Sequence, residues 1–208
     1  MKKLAIVLVL LMGALAFVPQ NTEAGVGIKA GFTLSKLLEK SPVPLPFEWA
    51  NLPYFTGGLS FGLNLGFVTI QPEVLYMRMG GRYEVDSANS LEYRFDYVQV
   101  PVLLKFNIVP AGPIRPFICG GGYGGYLIKA TGVMVADSVE LPHMDLMDTY
   151  EKLDYGVLGG AGLTFKLPGL ALTVEGRYNF GLKNLWKDPV EGEFMRNTSI
   201  MALVGIGF

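Results

Sequence analysis

The side chains of this 208-residue chain that could do chemistry are few and far apart. There is one histidine, His143, and one cysteine, Cys119. A nucleophilic thiol needs a base beside it, and nothing in the sequence pairs these two. His143 does have Asp137, Ser138 and Asp145 close to it in the chain, the residue types of a Ser–His–acid hydrolase. Such a site works only with its groups held within hydrogen-bond reach, and a long loop is a poor scaffold for that. The same segment sets Asp137, Glu140, Asp145, Asp148 and Glu151 against Lys129 and Lys152. Oxygen ligands suit a hard divalent cation, but the spacing is not that of an EF-hand, so a solvated acidic loop is expected. The glycine-rich stretch 120–125 lacks the Lys-Ser/Thr that completes a phosphate loop. No catalytic, cofactor-binding or metal-binding residue is assigned, and the chain reads as a non-enzyme.

What remains is a set of charges standing singly among uncharged neighbours: Glu73, Lys105, Glu175 and Arg177, with Lys29 and Asp154 nearer the ends of their segments. Their meaning depends on the elements that carry them. Half of the residues are hydrophobic, only 17% are charged, and 27 are glycine; mean hydropathy is +0.37. Soluble domains carry about 25% charged residues, so this chain is too apolar for an ordinary soluble enzyme and far too apolar for disorder. The longest apolar run, residues 4–18, is too short for a spanning helix of about 20 residues. A net charge of −1 without a basic stripe gives no reason to expect nucleic acid.

Met1-Lys2-Lys3, the apolar run 4–18 and a polar stretch ending at Ala24 have the three parts of a secretory signal. Residues 1–24 are expected to be removed, leaving 25–208 as one exported domain. Cys119 has no internal partner for a disulfide and is expected to act as a small buried or lipid-facing hydrophobe.

From residue 25 onward the apolar residues recur with a period of two. Val26, Ile28, Ala30, Phe32 and Leu34 alternate with Gly27, Lys29, Gly31, Thr33 and Ser35, the mark of a strand with one apolar face. The pattern recurs over 58–65, 68–79, 93–106, 115–128, 153–165, 170–181 and 198–208, giving eight strands. The facing of the glycine-rich fifth is the least defined; Phe117, Cys119, Tyr123 and Leu127 are taken as its apolar face. Long connections, 37–57, 80–92, 129–152 and 182–197, alternate with short ones at Gly66, 107–114 and 166–169. Short turns at one end, long loops at the other and both termini at the short end are the plan of an up-and-down outer-membrane barrel.

A soluble ligand-binding barrel would alternate in the same way, but its polar face would meet water and carry many charges. Here that face is mostly Gly, Ser, Thr and Asn, which suits the crowded interior of eight strands. The apolar face is expected to meet lipid and to carry no ionised group. Its aromatics gather near the strand ends, Phe106, Phe117, Phe165 and Phe208 at one end and Tyr76, Tyr155, Tyr178 and Phe180 at the other, as interfacial belts. Glu73, Lys105, Glu175 and Arg177 then point inward, where charges must be paired. They are expected to form a salt-bridge network that plugs the lumen. Pro72 and Pro101 fall within strands and remove ladder donors, so a bulge or a widened bond is expected at each.

The stretches GIKAGFTLSKL, IQPEVLYMRMGG, YVQVPVLLKF, RPFICGGGYGGYLI, DYGVLGGAGLTF and LTVEGRYNFGLKNL, in order along the chain, resemble the PorT-like outer-membrane β-barrel family of Gram-negative bacteria, most common in the Bacteroidota. Gln99 departs from it where the family more often has an acidic residue. The resemblance implies an all-β, eight-stranded antiparallel transmembrane barrel of the OmpA/OmpX up-and-down kind, resident in the outer membrane. The expected role is structural, adhesive or accessory, through four outer loops; alternatives are an accessory subunit of a secretion or envelope-assembly complex, a lipid A-modifying barrel or a small-solute porin. Outer-membrane lipid is the expected partner of a monomeric barrel, with an envelope or secretion protein at the loops. Trp49 and Trp186, with Leu45, Phe47 and Met195 near them, are expected either to present a partner surface or to pack over the barrel mouth.

Overall fold

The computed structural model describes residues 23–40, 49–84, 89–136 and 139–208. The segment expected to be a signal therefore lies, up to residue 22, outside the described residues. Ten strands occur among the described residues: β1 (Glu23–Lys40), β2 (Leu52–Asn64), β3 (Val68–Glu84), β4 (Asn89–Asn107), β5 (Ile114–Ala136), β6 (Val139–Glu140), β7 (Met144–Asp145), β8 (Leu153–Leu167), β9 (Leu170–Gly181) and β10 (Phe194–Gly207). The two short strands β6 and β7 pair only with the far end of β5. The other eight close on themselves. Each pairs antiparallel with its neighbour, and β1 meets β10 from Gly27↔Gly207 to Lys40↔Phe194. Closure leaves no strand edge, the condition for a sheet to sit in hydrocarbon.

The wall is inside out by the standard of a soluble protein. On β1, Ile28 and Phe32 are 60% and 67% exposed while Thr33, the residue next to Phe32, is fully buried. The alternation read for β1, β2, β3, β4, β8, β9 and β10 matches the observed faces. Tight turns join the strands at the short end, with Gly66 (φ 87°) and Gly169 (φ 79°) in the left-handed region that glycine adopts without a Cβ penalty.

Strand β5 corrects the reading of its facing. Phe117, Cys119, Tyr123 and Leu127 point into the barrel, and Ile114, Ile118, Tyr126 and Ile128 point outward. Phe117 therefore does not belong to an outer aromatic belt. Both faces of β5 carry apolar groups, and its glycines supply no side chain that would show which face meets lipid. Inside, Phe117, Cys119 and Tyr123 pack with Leu103 and Leu158. Glycine on the neighbouring β8 makes the room: a Cβ at Gly162 would lie 2.6 Å from the Phe117 ring, and one at Gly156 2.8 Å from the Tyr123 ring.

Three further points depart from or refine the expectations. Strands run well into the segments assigned to long loops, with β4 and β5 paired out to Asn89↔Ala136; beyond the lipid band neither face is forced to be apolar, so the alternation fades. The outer face is not free of charge, because Arg78 and Asp96 face each other across β3 and β4 at 2.6 and 3.0 Å. They follow Tyr76 and Val98 on the same face, and a paired, half-exposed arginine at the end of an apolar band keeps its head in the interface. At the prolines, pairing lapses without a change of register. It stops between Ser60↔Glu73 and Leu63↔Ile70 beside Pro72, and between Pro72↔Val102 and Leu75↔Gln99 beside Pro101. The bulge lies elsewhere, at Asp96/Tyr97, where Ile128 is left unopposed.

Candidate functional site

The lumen is filled in layers. Around the ring, β3 and β9 stand opposite each other, four strands apart in either direction. Glu73 on β3 and Arg177 on β9 meet across it: Arg177 Nη1 donates to Glu73 Oε2 at 2.6 Å and Nη2 to Oε1 at 2.8 Å. This two-pronged bond spans the barrel, and both side chains are fully buried. Arg177 Nη2 also donates to Glu175 Oε1 at 2.7 Å. Lys29 on β1 bridges the two acids, 2.7 Å from Glu73 Oε1 and in direct contact with Glu175. Gln71 adds a hydrogen bond to Glu73 from two residues away on the same face of β3.

Of the four residues expected to form the network, Glu73, Glu175 and Arg177 come together. Lys105 does not join a carboxylate. Its ammonium donates to Gln71 Oε1 at 3.2 Å and lies 3.7 Å from the centre of the Phe117 ring. Lys29, read as nearer an end, takes the bridging place. The period of two assigns each charge to the lumen, but only strand stagger decides its height, and height selects the partner. Asp154 stands apart from this layer, accepting from Asn197 Nδ2 at 3.1 Å, with the Tyr97 hydroxyl 3.4 Å from the same nitrogen.

Towards the loop end the filling becomes apolar and aromatic. Leu37, Met77, Met79, Phe95, Leu127 and Met195 form a buried cluster. Over it the rings of Trp49, Tyr93, Phe95, Tyr150 and Trp186 make a continuous layer: Phe95 meets Tyr150 edge-on at 4.8 Å, and Tyr150 stacks on Trp186 at 4.9 Å. Of the two readings of Trp49 and Trp186, packing over the mouth is the one observed; Leu45 and Phe47 lie outside the described residues. Trp49 Nε1 donates to Glu39 at 2.7 Å, and burial nevertheless raises the Glu39 pKa above its ordinary 4.5.

Among the described residues, no loop cluster of His, Asp and Glu that could hold a cation forms. His143 is exposed and lies 3.3 Å from Glu140, whose other oxygen takes Arg94 at 2.6 Å. That arginine holds the Glu140 carboxyl below its ordinary 4.5. Asp145 accepts the Met147 amide in a turn, and Glu151 faces Lys183 at 3.7 Å. Asp137 and Ser138 lie outside the described residues. Cys119 is buried inside the wall, away from solvent.

The outer membrane protein beta-barrel domain, as a family, matches residues 19–187. The chain belongs to that family. No curated protein matches the barrel in sequence. Solved structures similar to it include surface protein A of Neisseria (14% identity, covering 88% of this chain and 97% of that one, TM-score 0.49). Others are OprG of Pseudomonas aeruginosa (8%, 89% and 95%, 0.49) and the outer membrane protease OmpT of Escherichia coli (11%, 90% and 96%, 0.45).

Proposed function

We propose that this outer-membrane barrel is a plugged, non-enzymatic component of the envelope, acting through its loop end in a structural, adhesive or accessory role. The observation that carries the reading is the Arg177–Glu73 bond across the lumen, backed by the aromatic layer above it. Eight strands enclose a space that side chains can fill, and here charged and aromatic groups fill it in series. In the orientation usual for such barrels the short turns face the periplasm and the long loops face outward. Residues 1–24 are then a cleaved signal, 25–208 the mature barrel, and the finer family PorT-like, as the stretches along β1, β3, β4, β5, β8 and β9 suggest. The barrel is a monomer in lipid with no nucleic-acid partner.

Incorporation of the purified protein into planar bilayers tests the plug: no stepwise conductance is expected, and large reproducible single-channel steps would overturn it. Crosslinking in an outer-membrane fraction separates the two roles. A single stoichiometric partner assigns the barrel to a secretion or envelope-assembly complex; its absence leaves an autonomous structural or adhesive barrel.

A further inference from the structure

The short-turn mouth holds something that the plug does not use. A cavity of about 430 Å³ opens there, below the ion network. Lys29, Lys105, Arg115 and Lys166 line it, and among the described side chains no aspartate or glutamate does. Lys29 is held by Glu73 and Glu175. Lys105 is only 6% exposed, and its neighbours are an amide oxygen and a ring. The layer around it therefore has three cations, Lys29, Lys105 and Arg177, over two carboxylates, Glu73 and Glu175. A buried ammonium without a counter-charge is costly, and this one faces an open cavity. Arg115 and Lys166 at the rim add positive potential at the entrance, which draws anions inward.

The shape narrows the chemistry. The volume exceeds that of a bare oxyanion and falls within the range of small-molecule sites, about 300–1,000 Å³. Ser60, Thr164 and Thr173 line the walls with hydroxyls suited to an uncharged polar body. Lys105, Arg115 and Lys166, none of them engaged with a carboxylate among the described residues, match an anionic phosphoryl group, which carries one negative charge as a diester and more than one as a monoester near neutral pH. We propose that this vestibule binds a small organic phosphate, its phosphoryl oxygens on the Lys105 ammonium and its polar body against the hydroxyl wall. A soluble ester and a phospholipid headgroup of the inner leaflet share this chemistry.

The test is calorimetric titration of the folded, full-length protein in maltoside micelles with glycerol 3-phosphate, at constant ionic strength, with glycerol and sodium chloride as controls. Saturable binding of one equivalent is expected for glycerol 3-phosphate alone. Lys105→Met should weaken it by at least about tenfold, the loss of a charge-assisted bond, whereas Lys187→Met, at the loop end, should leave it unchanged. Lys105→Met removes a buried charge that has no counter-ion, so it should keep heat-modifiable gel migration and unfold at no lower temperature than the parent. No saturable heat with glycerol 3-phosphate, or equal affinity in a folded Lys105→Met, overturns the proposal. Repeating the titration in phosphatidylglycerol vesicles identifies the source: weakened binding there means that headgroups compete for the vestibule, and undiminished binding means that the soluble ester is its ligand.

Discussion

The two halves of the lumen solve the same problem by opposite means. The loop-end half is closed by stacked rings and methionines, a filling that needs few partners and tolerates no gaps. The turn-end half is closed by a few charges reaching across from opposite walls, and beneath them the space stays open. Apolar filling is stabilised by area and by shape. A charged filling is stabilised only while each member keeps its partner, so one substitution removes more from the network than from the rings. The difference also assigns duties: the aromatic half faces the loops and sets the mouth, while the charged half leaves a chamber with a cation to spare.

The comparison can be broken most strongly at Arg177. Arg177→Met leaves Glu73 and Glu175 buried with Lys29 between them, and should cost ~3–5 kcal/mol of stability. It is read as a fall in the temperature of the heat-modifiable gel shift; Glu73→Gln in the same chain should recover part of the loss, and an additive effect would show that the two do not act as a pair. The single variant should still not conduct in planar bilayers, because the aromatic layer remains.

A smaller effect is expected in the rings. Tyr150→Leu removes two close ring contacts, each contributing ~0.5–1.5 kcal/mol, and should lower stability by about 1–3 kcal/mol without altering the charged layer. Combined with Arg177→Met it should admit conductance that neither change admits alone. Silent bilayers with the double variant would mean that the two layers do not act in series.

The smallest effect lies outside both halves, at Glu140. Its carboxyl is held below 4.5 by Arg94, first through their hydrogen bond. A lowered folded-state pKa contributes stability above the unfolded value, and that contribution fades as pH falls through the folded one. Hydrogen exchange in the β5–β6 pairing should therefore quicken, relative to the barrel, below about pH 4.5 in the parent, with no such step in Glu140→Gln.

How much of this was legible depended on whether side chains reported their environment. On β1, from Val26 to Ser35, every outward position is apolar and every inward one small or polar, so strand and facing follow there from the residues alone. On β5 the residues 120, 121, 122, 124 and 125 are glycine, and the inward residues are as apolar as the outward ones. Periodicity has no contrast there, which is why it assigns Phe117 to the outer face although the side chain lies inside. The period of two already puts Arg78 on the face of Tyr76 and Asp96 on that of Val98, but alternation reads each strand singly, and that the two charges meet is a matter of register between strands.

The candidate site divides along the same line. A short period determines which charges enter the lumen, since a strand has two faces and one must meet lipid. It carries no information about height along the barrel axis, because that depends on the stagger accumulated from strand to strand around the ring. Sequence by itself therefore determined an exported-looking, lipid-facing eight-stranded wall with Glu73, Lys105, Glu175 and Arg177 inside. Only the tertiary structure decided that Arg177 reaches Glu73 across the diameter, that Lys29 bridges the acids, and that Lys105 is left facing an open chamber.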